Sequence, residues 1–186
     1  MKTRRACLAA ALLTTALALT GCGDTDSGAG SVPEGWGTLK TKGLDVSYPK
    51  GYAEQSAAER GKHNAAAAVR TEGGKKVSVI TVQLAFTEAN SAEQAAIAAE
   101  AGIQMGADVK GHKDVELAGT DEAKRIDFSF KATGEDGGPA RGTPVDGVIL
   151  AGLDSKDSTF AIRIDAEQGA LPDGDLDRII DSVEVH

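Results

Sequence analysis

The segment Lys76 to Phe86 limits the fold more than any other stretch. Read as a strand, it sends Val77 and Val79 to one face and Ile80, Val82, Leu84 and Phe86 to the other. A strand that is apolar on both faces needs a packed layer on each side of it, so it is predicted to run through the middle of a sheet. Val145 to Leu153 has the same double-sided character. The remaining strand candidates alternate and read as half-buried. Leu44 to Tyr48 is one, ended by a turn at Pro49-Lys50-Gly51-Tyr52. Lys124 to Ala132 sets Ile126, Phe128 and Phe130 against Asp127, Ser129 and Lys131, and Thr159 to Ala166 sets Phe160, Ile162 and Ile164 against Arg163 and Asp165. Val109 to Leu117 is a weaker strand, turned at Gly119. Asn64 to Arg70 is joined to the central strand through Glu72-Gly73-Gly74-Lys75, which predicts a hairpin.

The period changes twice. Ser91-Ala92-Glu93-Gln94 has the form of a capping box, in which the Ser91 oxygen accepts from the third helical amide and Gln94 reaches back. Ala92, Ala95, Ala96, Ala99 and Ile103 then make an apolar stripe at helical spacing, with Gly106 as its stop. Small alanines let such a helix lie close to a sheet. Near the end, Leu176, Ile179, Ile180 and Val183 fall at i, i+3, i+4 and i+7, and Asp173, Asp175 and Asp177 crowd the positive end of that second helix. Residues 53–61 read as a polar connection, and Thr133 to Gly142, rich in Gly and Pro, as the most mobile loop. Runs of strands interrupted by two helices mean an α+β fold built on an antiparallel β-sheet with two main helices. No repeat and no second domain is visible.

The N-terminus reads as an address. Lys2, Arg4 and Arg5 precede an apolar run from Ala6 to Leu19 of about 14 residues, whereas a bilayer core needs roughly 20 helical residues. A short run behind a basic start is the pattern of a signal peptide over residues 1–21. Leu19-Thr20-Gly21-Cys22 resembles the lipobox of bacterial lipoproteins. That resemblance implies cleavage before Cys22 and a diacylglycerol and a fatty acyl chain such as palmitate on it. The alternative is an ordinary secreted chain in which Cys22 carries nothing. Cys7 lies in the removed segment, so the mature chain keeps one sulfur, with no disulfide and no cysteine metal site. Residues 22–38, rich in Gly, Ser and Asp, read as the lipidated cysteine and a flexible tether. Trp36 stands alone there and is expected to pack back on the domain. Residues 39–186 form a single domain of ordinary size.

Without residues 1–21 the chain has 17 basic residues (20 less Lys2, Arg4 and Arg5) against 28 acidic, a net charge of −11. Nucleic acid needs a basic footprint, and an anionic membrane surface needs one too, so neither is an expected partner of the protein surface. Lipid on Cys22 would do the holding.

Candidate chemistry is sparse. Asp173, Asp175, Asp177, Asp181 and Glu184 occupy positions 1, 3, 5, 9 and 12 of a calcium loop, where hard oxygen ligands are needed. The sixth position, normally glycine for a sharp turn, is Arg178, and the apolar stripe through the same residues asks for a regular helix. An acidic helix start is the preferred reading, with no metal. His63, His112 and His186 are far apart without zinc spacing and read as surface residues. No serine sits in a nucleophile elbow, and the acidic Glu135-Asp136-Gly137-Gly138 would repel phosphate. No catalytic residue and no cofactor is expected.

The order of elements, with Tyr48-Pro49-x-Gly51-Tyr52 after the first strand and Leu117-Ala118-Gly119-Thr120-Asp121-Glu122-Ala123 at the turn between the middle strands, resembles the PsbP-like family over residues 39–185. That group includes a photosystem II extrinsic protein, a nuclear-import accessory protein and actinobacterial lipoproteins of the LpqN type. The resemblance implies an α/β/α sandwich and a binding or assembly role without catalytic residues. The expectation is therefore a non-enzymatic, lipid-anchored module on the extracytoplasmic face of the cell membrane. Its partner would be an envelope protein or, alternatively, a small ligand carried in a pocket between sheet and helix.

Overall fold

The computed structural model describes residues 32–186. Residues 1–21 (the expected signal peptide), Cys22 and most of the expected tether lie outside the described residues. Twelve elements follow one another: β1 (Gly37–Lys40), β2 (Leu44–Tyr48), β3 (Tyr52–Glu54), β4 (Ala66–Glu72), β5 (Lys75–Leu84), α1 (Ala92–Glu100), β6 (Asp108–Asp114), β7 (Ala123–Lys131), β8 (Pro144–Leu153), β9 (Thr159–Glu167), α2 (Asp173–Asp181) and β10 (Glu184–Val185). Seven strands make one sheet in the order β3-β4-β5-β9-β8-β7-β6, and β1-β2-β10 make a small second sheet. Every ladder between these strands is antiparallel. The α+β expectation holds, and β5 and β8, apolar on both faces, are interior strands as predicted.

Alternation decides which layer each side chain joins. Ile80, Val82, Leu150, Phe160, Ile162 and Ile164 face one way and pack with Leu39, Leu44 and Val46 of the small sheet and Ile179, Ile180 and Val183 of the α2 region. Ile126, Phe128, Ile149, Ala151 and Ala161 face the other way and pack under Ala95 and Ala96 of α1. Each fully buried Leu, Ile, Val or Phe of this kind contributes about 1.5–3 kcal/mol. The layer opposite α1 is thus α2 together with a three-stranded sheet. Trp36 packs against this larger core, and the first strand, β1, begins at Gly37.

Two details differ from expectation. Helix α1 stops at Glu100, and Ile103 caps a tight turn in which its N–H donates to the Glu100 carbonyl at 2.8 Å. Ile103 still reaches the α1-side core from that turn. After α2 the chain adds β10, which pairs with β2, and the Val185 N–H donates to the Ala118 carbonyl at 2.8 Å. That closure requires Gly119: its φ is +84°, and a Cβ there would collide with the Val185 backbone.

The ladder gives the molecule two ends. At one end Leu84, Phe160, Gly152 and Ala123 lie side by side across β5, β9, β8 and β7. At the other end Ser78, Ala166, Asp146 and Ser129 do the same. Six residues of strand separate the two rows, about 20 Å. The chain arrives at the second end, where Gly37 pairs with Tyr48 and Tyr48 lies 6.3 Å from Tyr52 between ring centres. The Tyr52 hydroxyl donates to Ser78 Oγ at 2.6 Å, and Ser78 donates to the Asp165 carbonyl at 2.9 Å.

Candidate functional site

Helix α1 is short and covers β7, β8 and β9 only in part. Past its last turn the sheet face stays open at the end of the molecule where the chain arrives. The opening is a groove of about 300 Å³. Val79 of β5, Phe130 of β7, Val145 of β8 and Asp165 of β9 form its floor, and Gln104 and the 133–142 loop form its walls. The loop is tied to β5 by the Lys76 N–H, which donates to the Gly137 carbonyl at 2.8 Å. Gln104 Nε2 donates to the Lys131 carbonyl at 3.3 Å.

Asp165 is the polar centre of this floor. Arg163 Nε donates to both of its carboxylate oxygens, at 3.1 Å and 2.8 Å. The same guanidinium donates through Nη1 to the Gly102 carbonyl at 3.1 Å, just beyond α1, and lies 5.0 Å from the centre of the Phe128 ring. Phe128 can take that position because Gly147 faces it across the ladder, where any Cβ would strike the ring. Burial pushes the Asp165 carboxyl up from the ordinary aspartate value, and the charge and hydrogen bond of Arg163 offset only part of that shift.

Sequence reading placed Arg163 and Asp165 on a polar strand face. The structure puts that face under the end of α1, where the pair forms the floor of a groove. The sequence signal was present, two opposite charges two residues apart on an apolar strand, but only the register shows what covers them.

At the opposite end lies a larger, more polar cleft of about 720 Å³ beside the start of α1, lined by Glu93, Asp114, Glu116, Asp121 and Glu122. Lys124 bridges Asp114 at 2.7 Å and Glu93 at 3.4 Å. Nearby, His112 on β6 is a correction to the surface reading. Its ring is 15% exposed and spans two α1 carboxylates, Glu93 at Nδ1 (3.0 Å) and Glu100 at Nε2 (2.6 Å). His186 Nε2 lies 3.4 Å from Asp45, and His63 is exposed.

The calcium-loop residues are held apart by secondary structure. Asp173, Asp175 and Asp177 sit in a regular helix, whose side chains radiate outward, and Asp175 lies 3.5 Å from Arg178. Glu184 belongs to β10, paired opposite Asp45. Among the described residues no three His, Cys, Asp or Glu side chains are grouped as a metal would need. Also among them, no helix is long and apolar enough to cross a membrane.

No family model matches the chain, and no curated protein matches it by sequence. Several solved structures resemble it, among them the following two. One is LpqN of Mycobacterium tuberculosis, a protein involved in cell envelope biogenesis, at a TM-score of 0.52 and 15% identity, covering 81% of this chain and 90% of LpqN. The folds are related. The other is a protein of Bacteroides thetaiotaomicron at a TM-score of 0.46 and 11% identity, covering 77% of this chain. This chain spans 45% of that longer one.

Proposed function

We propose that the protein is a lipid-anchored, non-enzymatic binding module of the cell envelope, held at the membrane through Cys22 and using the groove around Asp165 to engage its partner. The groove carries this reading. Its polar centre is an ion pair in which Arg163 Nε fixes the Asp165 carboxylate, while a quarter of that side chain's surface stays open to the groove, where it can meet a partner. Leu19-Thr20-Gly21-Cys22 supports the anchor, and the related fold of LpqN, an envelope biogenesis protein, agrees with the setting.

The test is a photo-crosslinker placed at Gln104 on the groove wall, activated in intact cells, with mass spectrometry of the products. A Cys22→Ala chain is the control. One reproducible partner that is lost in the control supports the reading. Turnover of any substrate that a point change at Asp165 abolished would replace it with an enzymatic one.

A further inference from the structure

Resting on the groove as binding site, we infer that its ligand is a small organic cation: a primary ammonium on a short apolar chain. Charge and hydrogen-bond supply both point to it. The groove is lined by four carboxylates, Glu135, Asp136, Asp165 and Glu167, against one ammonium, Lys76. The floor beneath them is apolar, with Val79, Phe130 and Val145 able to pack a short chain. Its volume of about 300 Å³ admits one small ligand, since ligand pockets run from about 300 to 1,000 Å³.

Asp165 is also short of donors. A carboxylate has about four lone-pair sites. Arg163 offers it a single N–H, from Nε, shared between the two oxygens, while Nη1 is spent on Gly102. The carboxylate is 25% exposed, and that remaining surface lines the groove. An ammonium brings three donors and a compensating charge to this point, where a second carboxylate or a phosphate would be repelled. Glu135 and Asp136 on the loop and Glu167 at the end of β9 add to the same preference at the rim.

The test is titration of the full chain with hexylammonium, hexanol and hexanoate, read by NMR shifts of the Val77, Val79 and Val145 methyls. Hexylammonium is expected to saturate and to bind at least tenfold more tightly than hexanol, with hexanoate weaker still. Lengthening the alkyl chain by one CH2 should tighten binding about fourfold while the floor lasts. Asp165→Asn should weaken the amine at least tenfold and leave hexanol unchanged. Should Asp165→Asn fail to fold, Glu135→Gln with Asp136→Asn, both on the exposed loop, should weaken the amine several-fold. Equal binding of amine and alcohol, or shifts outside the groove, would overturn the inference. If hexanol or hexanoate wins at the same methyls, the groove is a binding site and only the ligand class falls. If no probe moves them while the crosslinked partner persists, the binding-module reading stands and this inference falls.

Discussion

His112 holds the edge of the sheet to α1 with one ring between two carboxylates. Its partial burial alone would lower the imidazole's affinity for a proton. The hydrogen bonds and charges of Glu93 and Glu100 outweigh that, so its pKa is raised above the ordinary 6.5. The neighbouring charges are Lys124, which shares Glu93, and Asp114, which shares Lys124. A raised folded-state pKa means the contribution to stability is complete below the unfolded value and fades as pH rises through the folded one. The stability advantage of the native chain over His112→Gln should therefore hold below pH about 6.5 and shrink as pH rises above it. Denaturant titrations at several pH values measure it, and a ring titration midpoint below 6.5 by NMR contradicts it. Neither this clamp nor the groove pair could be read from the chain. Glu93 and Glu100 lie 19 and 12 residues from His112, and an alternating strand leaves open whether its polar face meets water or a helix end. The resemblance of Leu19-Thr20-Gly21-Cys22 to a lipobox, by contrast, lies in adjacent positions and is legible without a fold.

Elements built on local signals were legible, and those built on distant pairing were not. The Ser91 cap is local: the Gln94 N–H donates to Ser91 Oγ at 3.3 Å. The return arm differs from the expected box, since the Gln94 side chain accepts from the Asn90 N–H at 3.0 Å, one residue earlier. Glu122, on the turn before β7, adds a carboxylate that accepts from the Ala92 N–H at 3.4 Å. Ser91→Ala should therefore cost about 1 kcal/mol in chemical denaturation, the ordinary value for a lost cap. A loss below about 0.3 kcal/mol would show that Glu122 holds the helix start without it. The interior strands β5 and β8 announced themselves through apolar residues on both faces. Strand β6, Asp-Val-Lys-Gly-His-Lys-Asp, carries almost no apolar pattern and is an edge strand with a register shift between Val109 and His112. The three-residue β3 and two-residue β10 exist because β4 and β2 offer them unpaired backbone groups, and no residue pattern that short can say so.

At the scale of the whole molecule, the charge and the anchor pull in opposite directions. The chain after residue 21 carries a net charge of −11, and an anionic membrane surface repels it. On the proposed reading, attachment would depend wholly on lipid at Cys22, and two acyl chains are what stable anchoring generally takes. The fourteen residues from Gly23 to Trp36 can span at most about 50 Å before β1 begins. The groove lies at the end of the molecule where that segment joins it. Two results follow from a purely lipidic attachment. High salt screens surface charges and leaves acyl chains in place, so a wash at about 1 M salt should leave the native protein in the membrane pellet. Cys22→Ala should move it to the soluble fraction at any ionic strength, because a domain of this negative charge gains nothing from an anionic surface. Fractionation with immunodetection reads both. A Cys22→Ala population that stays with the membrane and comes off in salt would mean the domain binds there through its own surface. The basic residues to suspect would then be those at the groove end, Lys76 and Arg70, since these lie where the chain joins the domain.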